Sequence, residues 1–134
     1  DYATAIEASL KLKEISYIHS EAFAAGELKH GTLALIEEKV PVIGLMSQKD
    51  LIEKTLSNIE EVLARKAEVY IISSIDDKRI ETLSKDYFIF PKTIDILSPI
   101  LEVIPCQLLA YYTSLEKGLN VDKPRNLAKS VTVE

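Results

Sequence analysis

Apolar and polar positions fall along this chain in blocks of two periods. From Ala3 to Ile15 the residues Ala5, Ile6, Ala8, Leu10, Leu12 and Ile15 recur at helical intervals and cover most of a helix circumference. Rotating each residue by about 100° gathers Glu7, Lys11 and Glu14 onto one polar stripe, at i, i+4 and i+7. A helix apolar on nearly every side is expected to be buried on most of them, with its polar stripe turned to water, a cavity or a ligand. Short helices are predicted from Glu21 to Gly26 and, capped by Thr32, from Thr32 through Glu38. Between them lies the small polar turn Lys29-His30-Gly31-Thr32.

Val42 to Met46 is a continuous apolar run between Pro41 and Ser47 and reads as a buried strand. Val69 to Ile72 reads the same way, and Tyr87 to Phe90 reads as a third strand. A helix carrying Leu51, Ile52, Leu56, Ile59, Val62 and Leu63 at helical spacing separates the first two and ends near Lys66. Ser47 and Asp50 resemble a capping box at its start, with Asp in place of Glu or Gln. A short helix from Lys78 to Leu83 leads to the third strand. Ser98 and Pro99 form an N-cap and first-turn pair for a long helix to Lys117, which Pro105 should kink and Gly118 should stop.

Apolar strands alternating with helices predict an α/β fold, a three-layer α/β/α sandwich with a parallel sheet. Ligands of such folds bind beyond the carboxyl ends of the strands. The domain is expected over residues 1–118, followed by an irregular C-terminal tail at 119–134. The chain opens on a helix where such folds open on a strand. Its sheet is therefore expected to lack an edge or central strand, and the chain to be part of something longer.

Composition narrows the function. The 134 residues are 47% apolar, which suits one domain with a real core. A net charge of −5, with no basic stripe interleaved with aromatics, argues against nucleic acid. No apolar run reads as approaching the roughly 20 residues that span a bilayer, so no membrane partner is expected. Cys106 is the only cysteine, so no internal disulfide can form and a reducing cytoplasm fits. Set in a helix beside Pro105, it reads as a buried apolar residue. All four glycines are isolated, which leaves no phosphate loop. The two histidines have no Cys or Asp partners at metal spacing, so neither a metal nor a cofactor is expected.

Three groups carry candidate chemistry. The Glu7-Lys11-Glu14 stripe reads as a solvated ion-pair face worth about 0.2–0.5 kcal/mol. It reads equally as a carboxylate beside a lysine in a cavity, able to act as a base. His30 is either a surface turn histidine or a proton-transfer group, whereas His19, in an apolar stretch, reads as structural. Lys129 sits among Leu127, Ala128, Ser130 and Val131, more varied and less polar than a loose tail. An exposed tail lysine is the ordinary reading. An amine becomes nucleophilic only where desolvation or a nearby cation lowers its pKa, and this context allows burial.

Leu10 to His19, Glu21 to Gly31 and Asp122 to Glu134 together resemble the isomerase region of the glucosamine-6-phosphate synthase family, the glutamine–fructose-6-phosphate aminotransferases. The resemblance implies a sugar isomerase (SIS) domain, the second of a tandem pair behind a glutaminase domain, in a cytoplasmic homodimer. It implies conversion of fructose 6-phosphate to glucosamine 6-phosphate with ammonia released from glutamine. Position by position, Lys129 matches the lysine that forms a Schiff base with the open-chain sugar. Glu14 matches the carboxylate that moves a proton between C1 and C2, Lys11 a lysine of the same pocket, and Ala128 a backbone contact to the sugar. His30 matches a ring-opening histidine supplied by the neighbouring subunit.

Thr32 and Ala3 stand where the family commonly has proline. The loops that hold the sugar phosphate belong to the preceding SIS domain, so the isolated chain is expected to be inactive. The alternatives are a non-catalytic sugar-phosphate-binding SIS module and another SIS ketose/aldose isomerase.

Overall fold

A computed structural model describes residues 1–127. Helices α1 (Tyr2–Ser16), α2 (Ile52–Leu63), α3 (Lys78–Leu83) and α4 (Ser98–Glu116) alternate with strands β1 (Pro41–Met46), β2 (Glu68–Ser73) and β3 (Asp86–Ile89) after the opening helix. The strands form one parallel sheet in the order β1-β2-β3. Pro41 lies opposite Glu68 and Met46 opposite Ser73, while Tyr70 lies opposite Asp86 and Ser73 opposite Ile89. The expected parallel α/β/α sandwich is therefore present, and residues 119–127 beyond α4 are irregular.

Successive strand side chains point to opposite faces, so each face collects its own core. Met46, Val69 and Ile71 pack with Leu56, Ile59 and Val62 of α2 and Ile80 of α3. On the other face Ile72 packs with Phe90 and Cys106, flanked by Ala8, Leu45 and Leu101. Gly44 permits the first contact to be close: a Cβ there would meet Ile59 Cδ1 at 3.2 Å. The buried Ser73 hydroxyl donates to the Met46 carbonyl at 2.7 Å and joins the carboxyl ends of β1 and β2.

Several local expectations change. The helix expected at Glu21 to Gly26 is absent, with a 3-10 turn beginning only at Ala25 (Ala25–His30), and the one expected from Thr32 through Glu38 is a shorter 3-10 turn, Thr32–Leu35. Ser20 donates to the Ser9 carbonyl at 3.0 Å while Ser9 donates to the Ser20 carbonyl at 2.9 Å, which pins this segment back along α1. Thr32 caps nothing; its hydroxyl reaches back to the Leu28 carbonyl at 3.4 Å. Ser47 forms no capping box with Asp50, because its N–H donates to Asp1 Oδ2 at 3.0 Å and its hydroxyl pairs with the same carboxylate. Ser98 is the first helical residue of α4 rather than its cap, and Pro105 lies inside the helix. Gly118, at φ 67°, ends it as expected: its N–H donates to Leu115 and that of Leu119 to Ser114, a Schellman closure.

The largest correction concerns which way α1 and α4 face. The buried residues of α1 are Thr4, Ser9 and Ser16, and those of α4 are Ser98, Glu102, Cys106, Ala110 and Ser114. Small and polar side chains turn inward along both helices, whereas Ile6 and Leu10 are 48% and 41% exposed, and Ile104 and Leu108 47% and 48%. The α1 helix is thus not buried on most sides. Residues Asp95–Glu116 are also long and apolar enough to cross a bilayer by length and composition, contrary to the expectation that no run reaches that length. Within the sandwich this helix packs along α1 and against β2 through its small ridge, and its outer face stays apolar.

Glu102 lies on that inner ridge and is fully buried. Its oxygens make no hydrogen bond among the described residues. Burial pushes its carboxyl above the usual carboxylate range, against smaller opposing effects of Thr4 and Ser47. A group with a raised folded pKa stabilises the fold fully below its unfolded pKa, and that contribution is lost as pH rises through the folded value. Glu102→Gln is accordingly expected to raise the urea midpoint at pH 8, with the difference from the native chain vanishing near pH 4. Ile71→Ala, on the central strand, should cost about 2–5 kcal/mol by urea unfolding with little change in the slope.

Candidate functional site

Helical spacing brings the expected stripe together. Lys11 Nζ lies 2.7 Å from Glu14 Oε2 and 3.5 Å from Glu7 Oε1. All three side chains are partly exposed, and the hydrogen bond that Lys11 donates to Glu14, ahead of the charges of Glu14 and Glu7, raises the lysine above its ordinary pKa. Lys11 is therefore a firmly charged ammonium that holds Glu14 in place. A cleft of about 380 Å³ adjoins it, lined by Lys11, Ile15, Ile104, Leu108, Tyr111 and Asp122 among others. Its walls come from α1, α4 and the start of the C-terminal segment.

This stripe does not sit at the carboxyl ends of the strands. Asp1 is bonded to Ser47, just past the end of β1. Glu14 follows about 20 Å along the helix axis, toward the amino ends. The carboxyl end of β1 instead holds Asp1, Thr4, Ser47 and the buried Glu102, a polar group that the sequence did not single out.

His30 is not brought to the stripe. It ends the 3-10 turn Ala25–His30, whose Leu28 packs on the α2 face of the sheet, while Ala8 of α1 packs on the other. Lys29 fastens the turn to α2 through Glu61 at 3.0 Å, and His30 is exposed. His19 is exposed as well, 3.6 Å from Glu21, rather than structural. Cys106 is buried as expected, and burial, followed by the nearby Glu102, pushes its thiol up to about 12. Lys129 and Ala128 lie outside the described residues. No group of three or more His, Cys, Asp or Glu suited to a metal occurs among the described residues.

The C-terminal segment returns to α1. Lys117 Nζ donates to the Ser16 carbonyl at 2.6 Å, and the Arg125 backbone N–H donates to the Tyr17 hydroxyl at 2.7 Å. The Arg125 guanidinium stands 4.2 Å from the centre of the Tyr17 ring. Tyr17 was missed from sequence because its partner is remote; its only local signal is a bulky residue at a helix end.

Residues 1–117 match the SIS domain family. The chain is 60% identical over its whole length to the glutamine–fructose-6-phosphate aminotransferase [isomerizing] of Clostridium tetani, and spans 22% of that protein. The solved C-terminal domain of glucosamine-fructose-6-phosphate aminotransferase from Francisella tularensis superposes with a TM-score of 0.81 at 40% identity, covering 91% of this chain and 34% of that one. Glucosamine-6-phosphate deaminase from Thermotoga maritima superposes with a TM-score of 0.76 at 25% identity, covering 97% of this chain and 37% of that one. With the parallel sandwich and a match over residues 1–117, this chain belongs to the SIS domain family.

Proposed function

We propose that this chain is the part of a larger, cytoplasmic aminotransferase that supplies proton-transfer and imine-forming groups for converting fructose 6-phosphate to glucosamine 6-phosphate. The observation that carries the reading is the Lys11–Glu14 pair, held at 2.7 Å on one face of α1 in a chain 60% identical to such an enzyme. The sugar opens with His30 of a second subunit assisting, since His30 lies on the other face of its own sheet from Glu14. The C2 carbonyl then condenses with a lysine amine and loses water, and ammonia displaces that lysine from the imine, which leaves the new nitrogen on C2 and frees the lysine. An imine acidifies the neighbouring C1, so one carboxylate can take that proton and return it at C2. Glu14 is that carboxylate.

The amine must be neutral to attack, and Lys11 is held charged by Glu14 and Glu7. That makes Lys11 a poor nucleophile; Lys129, which matches the imine-forming lysine of the family, is the candidate, with Ala128 matching a backbone contact to the sugar. The cleft beside Lys11 is mostly apolar, which suits neither a phosphate nor a row of hydroxyls. Those groups are held elsewhere in the larger polypeptide, by a preceding SIS domain, with a glutaminase domain as the ammonia source. The exposed apolar faces of α1 and α4 favour the same reading, because a lone domain would leave them in water. They are covered by the companion SIS domain or by the second copy of a homodimer.

The likeness to a deaminase leaves a second reading, a different sugar-phosphate isomerase, and a third, a binding module without chemistry. Borohydride reduction of the complete polypeptide with fructose 6-phosphate, followed by peptide mass spectrometry, separates them. A sugar adduct at Lys129, lost in Lys129→Ala, is expected; binding without an adduct would favour the module. Glucosamine 6-phosphate formation that stops without glutamine distinguishes the aminotransferase from an isomerase. Glu14→Gln should keep the adduct while lowering turnover about 10²- to 10⁴-fold. The isolated chain should form no glucosamine 6-phosphate from glutamine and fructose 6-phosphate.

A further inference from the structure

We propose that Tyr17 is a positioning residue: it pins the C-terminal segment to the end of α1 and thereby sets where Lys129 works. The inference rests on the reading of Lys129 as the imine-forming amine.

The starting observation is backbone strain. Tyr17 closes α1 in the left-handed region, at φ 59° and ψ 22°, with its N–H donating to the Lys13 carbonyl. Glycine or asparagine closes a helix there at lower cost. A bulky residue kept in this conformation calls for a reason outside the helix. The phenol provides one: its oxygen accepts the Arg125 N–H at 2.7 Å, and its ring lies under the Arg125 guanidinium at 4.2 Å. One side chain thus holds both the backbone and the side chain of a residue 108 positions away.

The path to this anchor is fixed on either side. The Gly118 closure turns the chain off α4, and the Asn120 side-chain carbonyl accepts the N–H groups of Asp122 and Lys123 at 3.0 Å each. Lys117 ties the same corner to the Ser16 carbonyl. Asn126, at φ 62°, turns the chain directly after the anchor. Glu14 lies one helical turn before Tyr17. Arg125 precedes Lys129 by four residues, a reach of at most about 14 Å. The anchor fixes the origin of so short a tether at the end of the helix that carries Glu14, the kind of constraint that positioning of reacting groups requires.

Both contacts of Arg125 lie at the surface, so removing them should leave the fold intact. Tyr17→Gly removes the phenol and relieves the backbone, and Tyr17→Phe keeps the ring while removing the acceptor. In the complete polypeptide, Tyr17→Gly is expected to lower kcat and the rate of borohydride-trapped adduct at Lys129 about 10- to 100-fold, with KM for fructose 6-phosphate and the thermal midpoint little changed. Tyr17→Phe should fall between it and the native protein. Unchanged kcat and adduct rate in Tyr17→Gly would overturn the proposal.

Amide hydrogen exchange of residues 119–127 reads the anchor without reference to activity. Native protein that forms no adduct at Lys129 refutes the functional reading. The anchor then stands if Arg125 loses protection in Tyr17→Gly and falls if it does not.

Discussion

The arrangement of this domain depends on α1 and α4 lying against each other through small side chains. Ser9 and Ser16 turn inward on one helix, and Cys106, Ala110 and Ser114 on the other. The distance between packed helices follows the size of the side chains at the contact, so small residues bring the two backbones close. The large apolar residues of both helices are left to point outward. The same pairing fixes both ends of α1: its start is held beside Ser47, and its end beside Lys117. Between those ends Lys11 and Glu14 have little choice of direction.

Electrostatics then divides the labour. A lysine between two carboxylates stays protonated and orients its neighbours, which makes Lys11 a good partner for a base and a poor nucleophile. The open cleft beside this stripe is walled largely by Ile15, Ile104, Leu108 and the Tyr111 ring, with Lys11, Gln107 and Asp122 as its charged and amide members.

Much of this was legible in the sequence because it follows from short-range rules. Each strand is a short apolar run, α2 has a clear helical stripe, and Gly118 sits where a left-handed closure is needed. The Glu7-Lys11-Glu14 stripe follows from helix geometry alone. Periodicity states which residues share a face, yet it leaves open which face is covered. On α1 the apolar residues were read as the buried side, and the sandwich buries Thr4, Ser9 and Ser16 instead. Ser47 failed as a cap for a related reason, since Asp1, far away in sequence, offered it a better acceptor. His30 could be recognised as a candidate from its turn, while its place on the α2 side depends on Leu28 finding the core there.

The irregular segment after α4 is where the limits of local rules matter most. A strand is held by a ladder and a helix by its own carbonyls, so losing one bond moves neither far. Residues 119–127 have no such repetition, and their course rests on a few side-chain bonds, each carrying a large share of the positioning. The Tyr17 phenol is one of these, and it is held by a residue whose backbone would be more comfortable as glycine. A left-handed tyrosine makes sense only when the returning chain is in place. The outward apolar faces of α1 and α4 carry a local cost of the same kind, with large side chains left exposed among the described residues.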